Sequence, residues 1–393
     1  MSSLEQTEPQ LAGRFRAVMP VVKRWAYFDH AAVAPLSALA EEAIAAWAQQ
    51  AACDGDTAWP AWAHAVEEVR SLAANRIRAS NDEIAFVKNT TDGISLVAEG
   101  FPWQSGDNVV TLANEFPSNQ YPWLNLASRG VETRRVSVDD DAGDGILGRV
   151  NLDRLAAACD RRTRMIAVSW VGYASGFRLD LDAVARLARD LGARLFVDAI
   201  QGLGVFPLDV AQTPIDYLAA DGHKWLLGPE GAGLLYIRRD RLDELRPIGV
   251  GWHSVVHATD FANIDLRLKP AAQRYEGGSQ NMPGVMALGA SLDLLASLED
   301  QYGRGAIARR VVAVAEAACE RLRAIGATIH SDRAAEHASG IVSFTLPKGD
   351  ADAARKQALA AHVALSCRAG RLRISPHAYN NDQDIDRLIS ALD

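Results

Sequence analysis

The chain has 393 residues, 49% hydrophobic and 23% charged, with 41 Lys and Arg against 49 Asp and Glu for a net charge of −8. Such a chain can bury a large core without disulfides, and its lack of basic runs argues against nucleic acid or an anionic membrane as a partner. Cys53, Cys159, Cys319 and Cys367 are far apart with no C-x-x-C spacing, and the nine histidines show no ligand spacing, so no metal site or disulfide framework is expected.

Residues 1–20 mix Glu5, Glu8, Arg14 and Arg16 among apolar residues, which predicts no signal peptide. No apolar run is long enough for a transmembrane helix, so the expected address is the cytoplasm. Apolar, β-branched runs predict strands at Ile84–Lys88, Asn108–Ala113, Glu132–Val138, Met165–Trp170, Arg194–Ala199, Tyr217–Ala220 and Gly233–Ile237. Helical periodicity lies between several of them, as in Leu152–Cys159 and Leu181–Leu191. The alternation predicts an α/β domain with a mostly parallel sheet. A loop rather than a helix joins the last two strands, so that pair can run antiparallel. Beyond this the texture changes. Pro283–Leu298 and Gly303–Ile325 read as helices, Gly340–Phe344 and Leu372–Ile374 as short strands, and Gln383–Leu392 as a last helix. The expected division is a large domain over 35–270 and a smaller α+β domain from 1–34 and 271–393.

Four motifs carry chemistry. Asp221-Gly222-His223-Lys224-Trp225 follows an apolar strand and precedes a Gly-rich turn. A lysine desolvated there has a lowered pKa and can form a Schiff base; alone, it also reads as a surface loop lysine. Asp198 ends the strand Arg194–Ala199, with Gln201 three residues on. Ligands of parallel sheets sit beyond the strands' carboxyl ends, where an acid can keep a cofactor's pyridine nitrogen protonated; a helix cap or a solvated carboxylate is the plain alternative. Asn89-Thr90-Thr91-Asp92-Gly93 follows a strand and opens a helix, an anion site suited to phosphate or an ordinary Thr N-cap. Arg373, in Arg371-Leu372-Arg373-Ile374-Ser375-Pro376-His377, can clamp a carboxylate or form a structural ion pair.

In joint order these residues, with Tyr27-Phe28-Asp29-His30-Ala31-Ala32 near the start and Tyr379-Asn380 near the end, resemble the class V aminotransferase family. That family comprises fold-type-I pyridoxal phosphate (PLP) enzymes and includes cysteine desulfurases, isopenicillin N epimerase-like proteins and kynureninases. The resemblance covers nearly the whole chain and implies the following roles. Lys224 forms the imine with PLP, Asp198 pairs with the pyridinium nitrogen, and Gln201 reaches the ring hydroxyl. Thr90, Thr91 and His223 hold the phosphate. Ser279, in Glu276-Gly277-Gly278-Ser279-Gln280-Asn281, reaches the phosphate from a partner subunit, which implies a homodimer with shared active sites. Arg373 binds the α-carboxylate of a small amino-acid substrate, and Ala31 and Trp170 line the same pocket.

Three departures qualify the resemblance. Desulfurases carry a stacking His after a Glu, whereas here Glu115 precedes Phe116, which can stack but cannot shuttle protons. The family often has Ser before Gly-His-Lys, whereas here stands Asp221, expected to point away from a phosphate. The long loop that bears the desulfurase nucleophilic Cys is missing between Arg368-Ala369-Gly370 and Arg373, and Cys367 reads as a small apolar filler. A persulfide-forming desulfurase is therefore disfavoured. The reading that remains is a PLP enzyme acting at Cα through an external aldimine, of transaminase or C–S/β-elimination lyase type. An epimerase is the alternative, with His30 or Tyr121 as guesses for an acid/base on the opposite face, and a non-catalytic binding protein on a PLP fold is the alternative of another class. His253 and His377 are candidates for a place near the pocket, with a structural role favoured for both.

Overall fold

The protein is described by a computed structural model covering residues 3–138 and 143–393. In chain order, α1 (Ser3–Ala17), β1 (Ala26–Tyr27), α2 (Ala38–Asp54) and α3 (Trp59–Ile77) precede the main sheet. There follow β2 (Ile84–Val87), α4 (Thr90–Gly100), β3 (Asn108–Leu112), α5 (Tyr121–Asn125), β4 (Glu132–Val136), α6 (Leu152–Ala157) and β5 (Thr163–Ser169). Next are α7 (Leu181–Leu191), β6 (Arg194–Asp198), β7 (Tyr217–Asp221) and β8 (Gly233–Ile237). The last part holds α8 (Met282–Tyr302), α9 (Ala306–Ala324), β9 (Thr328–Ile329), β10 (Val342–Thr345), α10 (Ala351–Ala360), β11 (Val363–Ala364), β12 (Ser366–Arg368), β13 (Arg371–Ile374) and α11 (Asp382–Leu392).

Among the described residues, seven strands form one sheet in the order β2-β8-β7-β6-β5-β3-β4. β8 runs antiparallel to both of its neighbours and the other pairings are parallel. The α/β expectation and the antiparallel last pair both hold. Burial on both faces explains why these strands read as continuous apolar runs. Ile166 and Val168 of β5 pack into one core, while Met165 and Ala167 pack into another on the opposite face. Each buried Val, Leu or Ile contributes about 1.5–3 kcal/mol, so the sheet is the rigid part of the molecule.

A separate core joins β1 with α9, α11 and the four-stranded sheet β12-β13-β10-β9. β1 pairs in parallel with β11, which ties the N-terminal segment to this smaller α+β unit. α8 packs instead on the first core, with Val285, Leu288 and Leu292 buried beside Val66 and Val69 of α3. Among the described residues no helix is long and apolar enough to cross a membrane.

Candidate active site

β2 runs parallel to β7, because both are antiparallel to β8, so the carboxyl ends of β2, β3, β5, β6 and β7 meet at one edge of the sheet. A cavity of about 290 Å³ opens there. From the sheet side it is lined by Thr90, Thr91, Asp198, Gln201, His223 and Lys224. Phe116, Ala31 and Arg373 close it from the loops and the smaller unit.

Lys224 follows β7 through Gly222, where any Cβ would fall 2.7 Å from the Ala232 carbonyl oxygen. Only glycine lets the chain turn that tightly against its neighbour. The lysine side chain is buried, and burial lowers its pKa to about 8, with the nearby Asp198 charge opposing the shift. The amine faces the Phe116 ring, 5.5 Å from its centroid. Asp198 is also buried and receives the Ile200 amide N–H at 3.1 Å. Burial raises its pKa to about 6.

Glu115, beside Phe116, is a buried acid that sequence reasoning treated only as a neighbour. It accepts the Ser169 amide N–H at 2.7 Å and also the Ser169 hydroxyl, and burial raises its pKa to about 7. Ser169 pairs in register with Asp198, so this bond pins the Phe116 loop beside that acid.

The phosphate motif is arranged differently from a Thr N-cap. Asn89 caps α4 by accepting the Asp92 amide at 2.9 Å, which leaves both threonine hydroxyls for other work. Thr90 accepts the Asp221 amide N–H at 2.9 Å, and Thr91 donates to Ser118 at 2.8 Å. Asp221 turns back on its own loop. It accepts the Gly222 N–H at 2.7 Å, and its carboxylate lies 2.8 Å from His223 Nδ1.

Arg373 is held by three contacts: Nε to Ser366 Oγ at 3.0 Å, Nη1 to the Tyr173 carbonyl at 2.6 Å and Nη2 to Asp29 at 3.1 Å. A guanidinium has five N–H groups, so two remain for a ligand. Burial lowers its pKa, and Asp29 opposes the shift. Arg368, Tyr173, Ser118 and Asn89 also line the cavity. Tyr173 and Ser118 arrive through long-range contacts, whereas Asn89 and Arg368 stand in motifs already named, as neighbours of Thr90 and Arg373 with no role of their own.

β12 and β13 join through Ala369 and Gly370, both at positive φ (50° and 74°). That is the signature of the tightest hairpin turn, with no room for a longer loop. Cys367 alternates with the inward Ser366 and Arg368, so it faces α10, where burial and then Asp352 raise its pKa. It is not an activated thiol.

Several expected residues are not brought to this cavity. Trp170 follows Ser169 and therefore points to the other face of the sheet. Its indole fills the space left by Gly202, where a Cβ would fall 2.5 Å from the ring, and it lines a different cavity. Ser279 lies in the loop 276–281, beside Trp59, Trp62, Trp252 and His253. His30 is fully buried between the Ser375 carbonyl and the Tyr379 hydroxyl, and Tyr121 is 68% exposed, so neither guess faces the cavity. His377 is buried behind the site, with its ring against Trp225.

A profile of the family described as aminotransferase class-V matches residues 26–388. A probable cysteine desulfurase of Methanothermobacter thermautotrophicus is 32% identical over 346 residues, which cover 84% of this chain and 83% of the relative. A cysteine desulfurase of Klebsiella pneumoniae is 31% identical over 347 residues, 83% of this chain and 81% of the relative. Among solved structures, the apo cysteine desulfurase of Thermococcus onnurineus superposes with a TM-score of 0.83 at 24% identity, over 96% of both chains. The cystine C–S lyase C-DES with its product cysteine persulfide superposes with 0.86 at 24% identity, over 95% of this chain and 98% of that one. The structural likenesses show a shared fold-type-I architecture. The chain belongs to the class-V aminotransferase family and is a PLP-dependent enzyme. The residues present suit the cofactor: a desolvated amine, a buried acid that among the described residues has no arginine or lysine partner beyond that amine, and hydroxyls at a helix N-terminus.

Proposed function

We propose that this class-V family member acts at Cα of a small amino acid, as a transaminase or a β-elimination (C–S) lyase, without a cysteine persulfide step. The observation that carries the reading is one cavity that joins the desolvated Lys224 amine to Arg373 but is approached by no cysteine among the described residues. PLP, when bound, supplies an electron sink for the pair of electrons left when a Cα–H bond breaks. Lys224 holds the cofactor and then takes the Cα proton on Nζ. With a pKa near 8, about a tenth of the free amine is neutral at pH 7. Asp198 holds a proton on the pyridine nitrogen, and Gln201 donates to the ring oxygen. Thr90, Thr91 and His223 hold the phosphate, with Asp221 behind the histidine. Arg373 fixes the substrate α-carboxylate with its two free N–H groups, and Ala31 closes the wall beside it.

The relatives' name does not transfer whole. A desulfurase of that kind needs a mobile thiol, and here the two-residue turn between β12 and β13 supports none. The epimerase alternative needs a second acid/base facing Lys224, and neither His30 nor Tyr121 fills that place. The working form is a homodimer in which Ser279 completes the phosphate site of the partner subunit, because in its own chain Ser279 lies outside the cavity. The enzyme is placed in the cytoplasm.

Incubation with a panel of amino acids, with and without a 2-oxo acid, tests the reading. Oxo-acid-dependent amino transfer, or release of pyruvate and the β-substituent, supports it. Racemised substrate alone, sulfur retained on a cysteine, or a protein that turns over no amino acid rejects it.

A further inference from the structure

Gln201 lines the cavity with both ends of its amide committed. Its carbonyl oxygen accepts the Trp225 indole N–H at 2.7 Å, and its nitrogen donates to the Ala31 carbonyl at 3.0 Å. An indole N–H can only donate and a backbone carbonyl can only accept, so the two contacts permit one orientation of the amide. Reversal would set donor against donor and oxygen against oxygen. A primary amide has two N–H groups, and this arrangement spends one.

Trp225, adjacent to Lys224, is itself immobile. It is 1% exposed, and a Cβ at Gly340 would fall 2.6 Å from the indole edge. The imidazoles of His30 and His377 lie against it at 6.0 and 5.7 Å. The far end of the relay is equally fixed, because the Ala31 amide donates to Ser375 Oγ at 2.9 Å, next to β13.

We propose that Trp225 is a positioning residue: its indole N–H, acting through the Gln201 amide and against the Ala31 carbonyl, keeps one N–H donor directed at the cofactor's ring oxygen and so sets the proton affinity of the nitrogen that Lys224 contributes. The inference rests on PLP being anchored at Lys224, not on which amino acid is turned over. The ring oxygen, as an anion, shares the proton of the linked nitrogen. A hydrogen bond donated to that oxygen satisfies part of its charge and loosens the proton. Without the indole N–H, Gln201 loses the contact that fixes its orientation, the donor is no longer held in place, and the proton is bound more tightly.

The test is a pH titration of the visible absorbance of the PLP-loaded enzyme. Trp225→Phe keeps an aromatic ring and removes the N–H. Its chromophore pKa is expected to rise by about half a unit to one unit at unchanged cofactor stoichiometry. Gln201→Leu shifts it in the same direction, and adding Trp225→Phe to Gln201→Leu shifts it no further. A tryptophan that only packs would lower the melting temperature and leave the titration unmoved. If Trp225→Phe does not fold, replacement of Trp225 by its benzothienyl analogue removes the N–H alone and decides the question. An unchanged pKa with full PLP occupancy, or additive shifts in the double variant, overturns the inference and leaves the cofactor assignment standing. A wild-type protein that takes up no PLP overturns both.

Discussion

The cavity at the sheet edge and the glycine-rich loop 276–281 are both secured by buried polar groups, yet only the first lies on strand ends that gather Lys224, Asp198 and Thr90 around one hollow. Lys224, Asp198 and the α4 N-terminus reach the cavity from strand ends that the main ladder already fixes. The loop has no such ladder. It hangs on Glu276, which accepts Arg70 at 2.5 Å, the Phe86 amide at 2.8 Å and Gln280 at 2.5 Å. Ser279, three residues on, faces an aromatic hollow rather than the cavity. In the proposed homodimer, the loop of a second copy would bring Ser279 to the cavity that its own chain keeps it from.

The electrostatics of the two regions differ as well. Lys224 and Asp198 are shifted toward their neutral forms by desolvation, which weakens the fold to make the groups reactive. Glu276 and Arg70 compensate each other's charge. The Arg70 guanidinium is held above its usual pKa by Glu276 despite a large burial penalty.

Breaking the first region at its centre has the largest expected effect. Lys224→Ala should lower kcat by about 10³-fold or more, and the borohydride-labelled peptide should vanish on mass spectrometry. A labelled peptide elsewhere would move the anchor to another lysine. Next in size is the loop. Arg70→Met strands the Glu276 carboxylate, and denaturant unfolding should show a loss of about 3–5 kcal/mol. A loss under about 1 kcal/mol would mean that water reaches Glu276.

Burial of the Lys224 amine has a measurable sign. In the apoprotein its pKa drops from 10.5 to about 8. Between those values the unfolded chain holds the proton and the folded chain does not, so stability should rise with pH through that window. The relief is about 3 kcal/mol in total, and the difference between wild type and Lys224→Met isolates it from the tyrosines that titrate nearby. A flat difference curve would place the amine in water. The smallest expected effect sharpens the comparison of the two regions. Ser279→Ala should weaken PLP binding roughly tenfold, as for one lost bond to a charged oxygen. Mixing it with Lys224→Ala should restore a functional site in the heterodimer. No recovery on mixing would return Ser279 to a structural role.

Legibility of the sequence followed the type of contact. Gly233–Ile237 and Leu181–Leu191 emerge with the expected bounds, because a doubly buried strand is an unbroken apolar run bounded by turn residues and a one-sided amphipathic helix has a strong period. α2 and α3 were not read as elements. In α2 only Ala40 is buried, so no apolar stripe marks a face. Lys224, Asp198 and Thr90 were legible because Asp198 ends a strand, Lys224 follows one by three residues and Thr90 opens a helix. Trp170 was misplaced by resemblance, although strand parity with Ser169 already points it to the opposite face. Tyr173 and the bond from Trp225 to Gln201 depend on folding distances that no local pattern records.

The short turn at Ala369 and Gly370 also determines what becomes of a group cleaved from the substrate. A chain that parks sulfur on its own flexible arm can carry that cargo to an acceptor protein. The two-residue turn between β12 and β13 offers no such arm, so under the proposed elimination chemistry a group released from Cβ departs as a free small molecule and leaves the enzyme unloaded after every turnover.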